Sequence, residues 1–366
     1  MSDSPAASTS RASGRLPELD SLRFVAAGSV VLYHYTSRVV VPGEANRAFP
    51  TADIVTRFGY LGVTLFFMIS GFVILWSSQT RSASEFVVAR IARLYPSFWV
   101  CALLTTIVVN FHGPEHVSLR TLVLNLTMIP QPLGVPLVDG GYWTLLVELE
   151  FYALVFFVLI TGTMAKVEVW LWAWLLASIV AATGATPKVL SALTLYPYGP
   201  YFISGCMFFL IRTKGVSASR LAAAGIACVL GARYAVAQQL GFMRASDVSA
   251  SSGVVVAGCV ILFHAVMLAV ALRPSMLPES RWWYRLGGLT YPLYLLHGHI
   301  GRRIWLETSG WSRFGALAIE LIVAFALTVV VTATIERQAC TVVHKKLMNV
   351  GLRLRIVRPA RVIGVT

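Results

Sequence analysis

The sequence predicts an all-α fold: a polytopic membrane helix bundle of about ten transmembrane helices. Three observations predict it. Of 366 residues, 57% are hydrophobic and only 13% charged, and the mean hydropathy is +0.73, well outside the balance of water-soluble domains. Apolar runs near the ~20 residues needed to cross a bilayer recur along the whole chain. The basic residues behind the net charge of +14 fall in short loops and the C-terminal tail, the distribution that topology imposes on membrane proteins. That placement argues against nucleic-acid binding.

Residues 1–15 are rich in Ser and Ala and are expected to form a disordered cytoplasmic lead-in. The first span, 22–41, has no small-residue cleavage site and ends in Tyr33-His34-Tyr35, so it reads as a retained helix and not as a secretory signal. It carries Arg23 and His34, eleven positions apart. Eleven helical positions come to about three turns, within ~20° of one face and ~16 Å along the axis. Arg23 should then lie near one membrane surface and His34 near the middle. A titratable base at that depth is a site candidate.

Span two, 59–77, contains Gly59, Gly62, Ser70 and Gly71, small residues that permit close helix packing. Packing is the default reading of Ser70, and donation to a substrate is the alternative. Before span three, 94–112, comes Arg90-Ile-Ala-Arg93-Leu-Tyr95-Pro96. Residues three apart share a helix face, so two guanidinium forks can converge on one anion; the plainer reading is ordinary positive-inside bias. The stretch 119–130 is too short to cross and is expected to be re-entrant or interfacial. Span four, 145–163, begins with Glu148 and Glu150. Two positions on a helix turn about 200°, so both cannot face one cavity, and spacing alone does not choose between them.

Spans five to eight, at 167–184, 196–213, 220–239 and 253–272, offer one ionisable candidate, His264, which reads as a satisfied core histidine. Span nine, 288–306, holds Tyr291-Pro-Leu-Tyr294-Leu-Leu-His297-Gly-His299. His297 should reach a depth like that of His34, with Tyr294 one turn below. Span ten is 315–335. The five cysteines show no CxxC and no ligand spacing, so they read as small hydrophobes, with neither a disulfide nor a metal site expected.

Charge assigns the sides. Loops 78–93, 212–220 and 273–287 and the tail, with Lys345, Lys346, Arg353, Arg355, Arg358 and Arg361, define the cytoplasmic side. One outer loop dissents, carrying Arg302, Arg303 and Arg313 against Glu307. Ten spans put both termini in the cytoplasm of a cell whose inner membrane holds the protein. The domains expected are the lead-in (1–15), one transmembrane domain (16–340) and a basic cytoplasmic tail (341–366).

Taken in order, several of these segments resemble the acyltransferase-3 family, integral-membrane enzymes that usually acylate sugars. The motifs are Leu19-Asp20-Ser-Leu-Arg23 running to His34; Gly62-Val, Phe66-Phe67 and Ser70-Gly71-Phe72; Arg90-x-x-Arg93-x-Tyr95-Pro96; Trp143-x-Leu-x-Val-Glu148-x-x-Phe151-Tyr152; and Tyr291-x-x-Tyr294-Leu-x-His297. The resemblance implies an acyl-CoA donor, acetyl-CoA first, and His34 as the catalytic histidine. It implies Arg23, Arg90 and Arg93 in the donor site, and Glu148 as the functional member of the acid pair. Asp20, Ser70, Tyr294 and His297 would support or contact substrate, and the acceptor would be a carbohydrate. The chain departs from the family pattern at Glu150 and His299, which stay unassigned. Glu148 is expected to act from the outer side on the acceptor or the imidazole. The competing class is a polytopic secondary transporter of an anionic or sugar substrate. It would share the mid-membrane ionisable groups, but no inverted repeat or pair of broken helices is visible.

Overall fold

The computed structural model describes residues 16–38, 48–112, 116–184, 193–243, 245–273, 275, 277–278, 280–336 and 339–353. The predicted lead-in, the segment 39–47 of span one and its loop, and the tail beyond Arg353 lie outside them. Among the described residues every regular element is helical. In chain order the longer helices are α1 (Pro17–Leu32), α2 (Pro50–Thr56), α3 (Gly62–Ser78), α4 (Ala83–His112), α5 (Leu119–Asn125), α6 (Trp143–Ile160) and α7 (Val167–Ala181). They continue with α8 (Gly199–Lys214), α9 (Ala218–Ala237), α10 (Gln239–Phe242), α11 (Ala250–Leu272), α12 (Arg281–Glu307), α13 (Arg313–Val331) and α14 (Ala339–Arg353).

Local chemistry sets the ends. Pro17 starts α1 at a position where a missing N–H costs nothing. Ser217, Ser249, Ser280 and Ser312 accept backbone N–H bonds at the starts of α9, α11, α12 and α13, as serine at an N-cap should. Gly215, at φ +84°, ends α8 in a conformation that other residues adopt only with strain.

Each of the ten predicted spans falls on a helix. Among the described residues, seven stretches are long and apolar enough to cross a membrane. The helices that fall outside that measure are α1, α8 and α12. The first two have 16 residues each, and α12 carries Arg281, Arg285, Arg302, Arg303 and Glu307. Their position explains the shortfall. Gly199–Ile211 of α8 is buried throughout, and α1 packs along α12, so protein covers α8 and one face of each of the other two. Outward-facing apolar side chains include Phe111, Val169 and Val254 on other helices, 79%, 67% and 73% exposed, and Val25 on the open face of α1, 62% exposed.

Helices α3 and α8 approach each other backbone to backbone. A Cβ on Gly71 would stand 2.2 Å from the Phe202 carbonyl oxygen, and one on Gly205 would stand 1.9 Å from that of Met68. The small-residue reading of span two holds here: only glycine lets these two backbones meet.

Two departures from regular helix matter for the site. The predicted first span is not one α-helix, because α1 passes into a π-helical turn at Tyr33–Arg38. Such widened turns recur at functional positions, and this one carries His34. The stretch after α4 is re-entrant. Trp99 donates to the Leu126 carbonyl and Tyr95 to that of Thr127, so the chain dips back to the middle of α4. Tyr142, just before α6, rests against Phe98, with ring centroids 5.2 Å apart. Helix α6 therefore starts at mid-depth of α4 and not at the outer surface.

The dissenting basic loop also finds its explanation. Arg303 is buried, Arg302 lines a cavity, and Arg313 donates to the Ala48 carbonyl while lying over Phe49 and Phe314. These side chains are occupied by the fold, so they do not report on sidedness.

Candidate active site

Two cavities of about 530 and 510 Å³ lie end to end along α1. His34 lines the first and Arg23 the second. Val63 and Tyr294 line both and form the partition between them. Placing residues 23 and 34 in successive chambers is what a helical rise of ~16 Å between them allows.

In the histidine chamber, the His34 Nδ1 stands 2.8 Å from the Val30 carbonyl oxygen. His297, itself 1% exposed, places its Nδ1 2.7 Å from the Tyr294 carbonyl oxygen and its Nε2 3.3 Å from the His34 Nδ1. A carbonyl can only accept, so each Nδ1 carries the proton when its ring is neutral. The His297 Nε2 lone pair then faces the His34 Nδ1–H, and Nε2 is the basic nitrogen of His34. A proton taken there would produce an imidazolium held at Nδ1 by two acceptors. The rings meet edge to face at 4.8 Å.

Tyrosines build much of the remaining wall: Tyr33, Tyr60, Tyr198, Tyr201 and Tyr234 from the π-helical turn, the turn before α3, α8 and its approach, and α9. The Tyr294 hydroxyl accepts from Thr144 (3.0 Å) and donates to the Gly141 carbonyl (3.1 Å), which fixes the partition in place.

Asp139 completes this chamber. It is 2% exposed and accepts the Gly141 N–H at 2.8 Å and the His299 N–H at 2.7 Å. Tyr142 donates to the Leu295 carbonyl at 3.2 Å. Leu295 C=O and His299 N–H are one i→i−4 pair of α12, and both are engaged from the re-entrant segment. Gly298 permits this, since a Cβ there would lie 2.4 Å from Asp139 Oδ2. Asp139→Ala should cost about 3–5 kcal/mol of stability, because two buried donors lose their acceptor. Denaturant unfolding in micelles checks it, with Asp139→Asn intermediate because one oxygen remains.

In the other chamber stand Arg23, Arg81, Arg90 and Arg93, with Asp20 and Glu148 as its carboxylates. Asp20 lies 3.5 Å from the Arg23 guanidinium. Arg90 sits over Phe86 and Tyr152, 5.7 and 5.8 Å from their centroids. Glu148 accepts from Ser70 at 3.1 Å and from the Tyr152 hydroxyl. Arg81, in the turn between α3 and α4, is pushed below its ordinary value by burial and then by the Arg90 charge, with Glu85 opposing. Such crowding of like charges favours an anionic ligand.

The structure thus brings Asp20, Arg23, Ser70, Arg90, Arg93 and Glu148 together, and separately pairs His34 with His297; Tyr294 touches both groups. One expectation is corrected. Glu148 does not approach His34 from the outer side but faces the arginines, because α6 starts at mid-depth and its first turns run through the partition. Trp143 lines the histidine chamber, whereas Thr144, Leu145 and Glu148 line the other. Glu150, two positions on, lines neither. His299 lines the histidine chamber. His264 is a core histidine, as expected, bonded to the Val260 carbonyl and Ser204.

Asp139, Arg81, His344 and the tyrosine wall were not singled out from the sequence. Asp139 had one signal, an acid directly before Gly140-Gly141 at the mouth of span four; the others are assembled by tertiary packing alone. Among the described residues no cluster of metal-ligating side chains occurs.

Comparison with known proteins places the chain in a family. The family described as an acyltransferase domain matches residues 16–337. Acyltransferase MdmB of Streptomyces mycarofaciens is 27% identical over 347 residues, covering 84% of this chain and 87% of that protein. A putative acetyltransferase, ORF330 of Acidianus two-tailed virus, is 28% identical over 133 residues, 36% of this chain and 37% of its own. No solved structure matches.

Proposed function

The chain belongs to the acyltransferase-3 family and is a membrane acyltransferase, and from that premise we propose that it moves an acyl group from cytoplasmic acyl-CoA to a hydroxyl of a cell-surface or lipid-linked carbohydrate. The observation that carries the reading is the pair of chambers meeting at Tyr294, one cationic and one lined by His34, behind which stands the buried His297. Acetyl is the first choice of acyl group, in keeping with the name of the viral relative.

Arg90 and Arg93 hold the donor diphosphate with charge-assisted bonds, and Arg23, oriented by Asp20, adds a third cation. Glu148 fixes Ser70 and Tyr152 around the donor arm. The arm passes Tyr294 and presents the thioester to His34. His34 Nε2 removes the acceptor hydroxyl proton as that oxygen attacks the thioester carbonyl. The tetrahedral intermediate collapses with cleavage of the C–S bond, and the thiolate regains the proton from the imidazolium. His297 and the Val30 carbonyl hold that imidazolium between the two steps. General-base help of this kind contributes typically ~10²–10⁴-fold. An acyl-His34 relay would use the same nitrogen.

Sidedness follows the charge. The loops nearest the arginine chamber are those rich in Lys and Arg, so that chamber opens to the cytoplasm, and the tyrosine-lined chamber receives the acceptor from the opposite face. Ten crossings of the membrane, α1, α8 and α12 among them, would put both termini on the cytoplasmic side. Aromatic walls suit a sugar, whose C–H faces stack on rings while its hydroxyls find polar neighbours.

Membranes containing the protein, given radiolabelled acetyl-CoA, should transfer base-labile label to a carbohydrate fraction. Label on a non-carbohydrate acceptor would reject the acceptor class. Failure to consume acetyl-CoA, with another acyl-CoA active, would reject only acetyl.

A further inference from the structure

The geometry points to α14, a helix beyond the family match, as part of the donor site: His344 and Arg81 together bind the phosphate-bearing nucleotide end of the donor. The family match ends at residue 337, and α14 begins at Ala339. It packs along α4, the helix that carries Arg90 and Arg93, and it brings His344 to the wall of the arginine chamber.

The chamber's charge calls for further anion contacts than one arginine pair supplies. Four arginines face two carboxylates. Asp20 stands against Arg23, and Glu148 accepts from two hydroxyls. Arg81 is anchored by one nitrogen, which donates to the Ser77 carbonyl at 2.9 Å. That bond holds its planar fork in one orientation. An imidazole N–H from α14 adds a second donor in the same chamber. Together the two residues provide a site for an anionic group apart from the diphosphate held by Arg90 and Arg93. Neither residue approaches the reacting atoms, so both act on donor affinity and not on the chemical step.

The inference rests on the acyl-CoA reading, and the test separates the two. Coenzyme A binding is measured by calorimetry on the purified full-length protein in a phosphate-free detergent. The proteins compared are wild type, Arg81→Ala, His344→Ala, His344→Gln and Lys345→Ala. Lys345 is exposed on the same helix and lines neither chamber, so it controls for general surface charge.

Loss of one charge-assisted contact corresponds to about a tenfold weaker Kd. That loss is expected for Arg81→Ala and for both His344 variants, with the melting temperature and the kcat at saturating donor unchanged. Lys345→Ala should bind like wild type. Wild-type binding with unweakened Arg81 and His344 variants would overturn the role of α14 and leave the donor reading standing. Equal weakening by Lys345→Ala would overturn it too, as a non-specific charge effect. Displacement of coenzyme A by anionic phospholipid from wild type but not from His344→Gln would assign the contact to a lipid headgroup and overturn it. No wild-type affinity for coenzyme A would reject the donor reading and this inference together.

Discussion

His34→Ala should lower acyl transfer by ~10²–10⁴-fold, the range that a positioned general base supplies, while membrane insertion and melting temperature stay near wild type. The chemistry requires this ring in particular. The Val30 carbonyl fixes the proton on Nδ1 and assigns the basic role to Nε2, and among the described residues no other histidine combines that arrangement with a place on the wall of this chamber. His297→Ala should fall short of the same loss, because it removes one of two acceptors that hold the imidazolium and leaves the base itself. Assay of labelled acetyl transfer in matched membranes measures both. Full activity in His34→Ala would remove the base from the mechanism, and an equal loss in His297→Ala would mean that the couple acts as one unit.

Replacing both Arg90 and Arg93 by alanine should raise the apparent KM for the acyl donor by ~10²-fold or more, since a charge-assisted bond is worth ~1.5–3 kcal/mol and each factor of ten is ~1.4 kcal/mol. The effect should lie mainly in KM, because the arginines occupy the chamber opposite the reacting nitrogen. Arg90 has a second task. It stacks against Phe86 and Tyr152, and Tyr152 donates to Glu148, so the single Arg90→Ala should disturb the chamber more than Arg93→Ala. Steady-state kinetics against donor concentration read this directly. An unchanged KM in the double variant would mean that the pair serves topology alone, the plainer reading of two arginines in a cytoplasmic loop.

What the sequence made legible was whatever a regular helix carries unchanged into three dimensions. The predicted apolar runs are helices, and Arg90 and Arg93 line one chamber because α4 is continuous through them. Glu148 and Glu150 diverge because 200° separates them. Three features depended on packing and were not legible. The π-helical turn at Tyr33–Arg38 needs the surrounding bundle to favour one widened turn over an α-helix. The depth of Glu148 was counted from an outer surface that α6 never reaches, since the re-entrant segment places Tyr142 against Phe98. The packing of α14 was hidden because a basic tail reads as a topological signal, whereas here residues 339–353 are a helix laid along α4. The short apolar measure of α1, α8 and α12 has a related origin: a helix that buries much of its surface against protein need not match the bilayer in length or hydropathy.

A structure determined with coenzyme A bound tests the central claim most directly. The account predicts the diphosphate on Arg90 and Arg93 and the pantetheine arm passing Tyr294, with the thiol sulfur within hydrogen-bonding reach of His34 Nε2. A diphosphate bound outside the arginine chamber, or a thiol pointing away from His34, would contradict it.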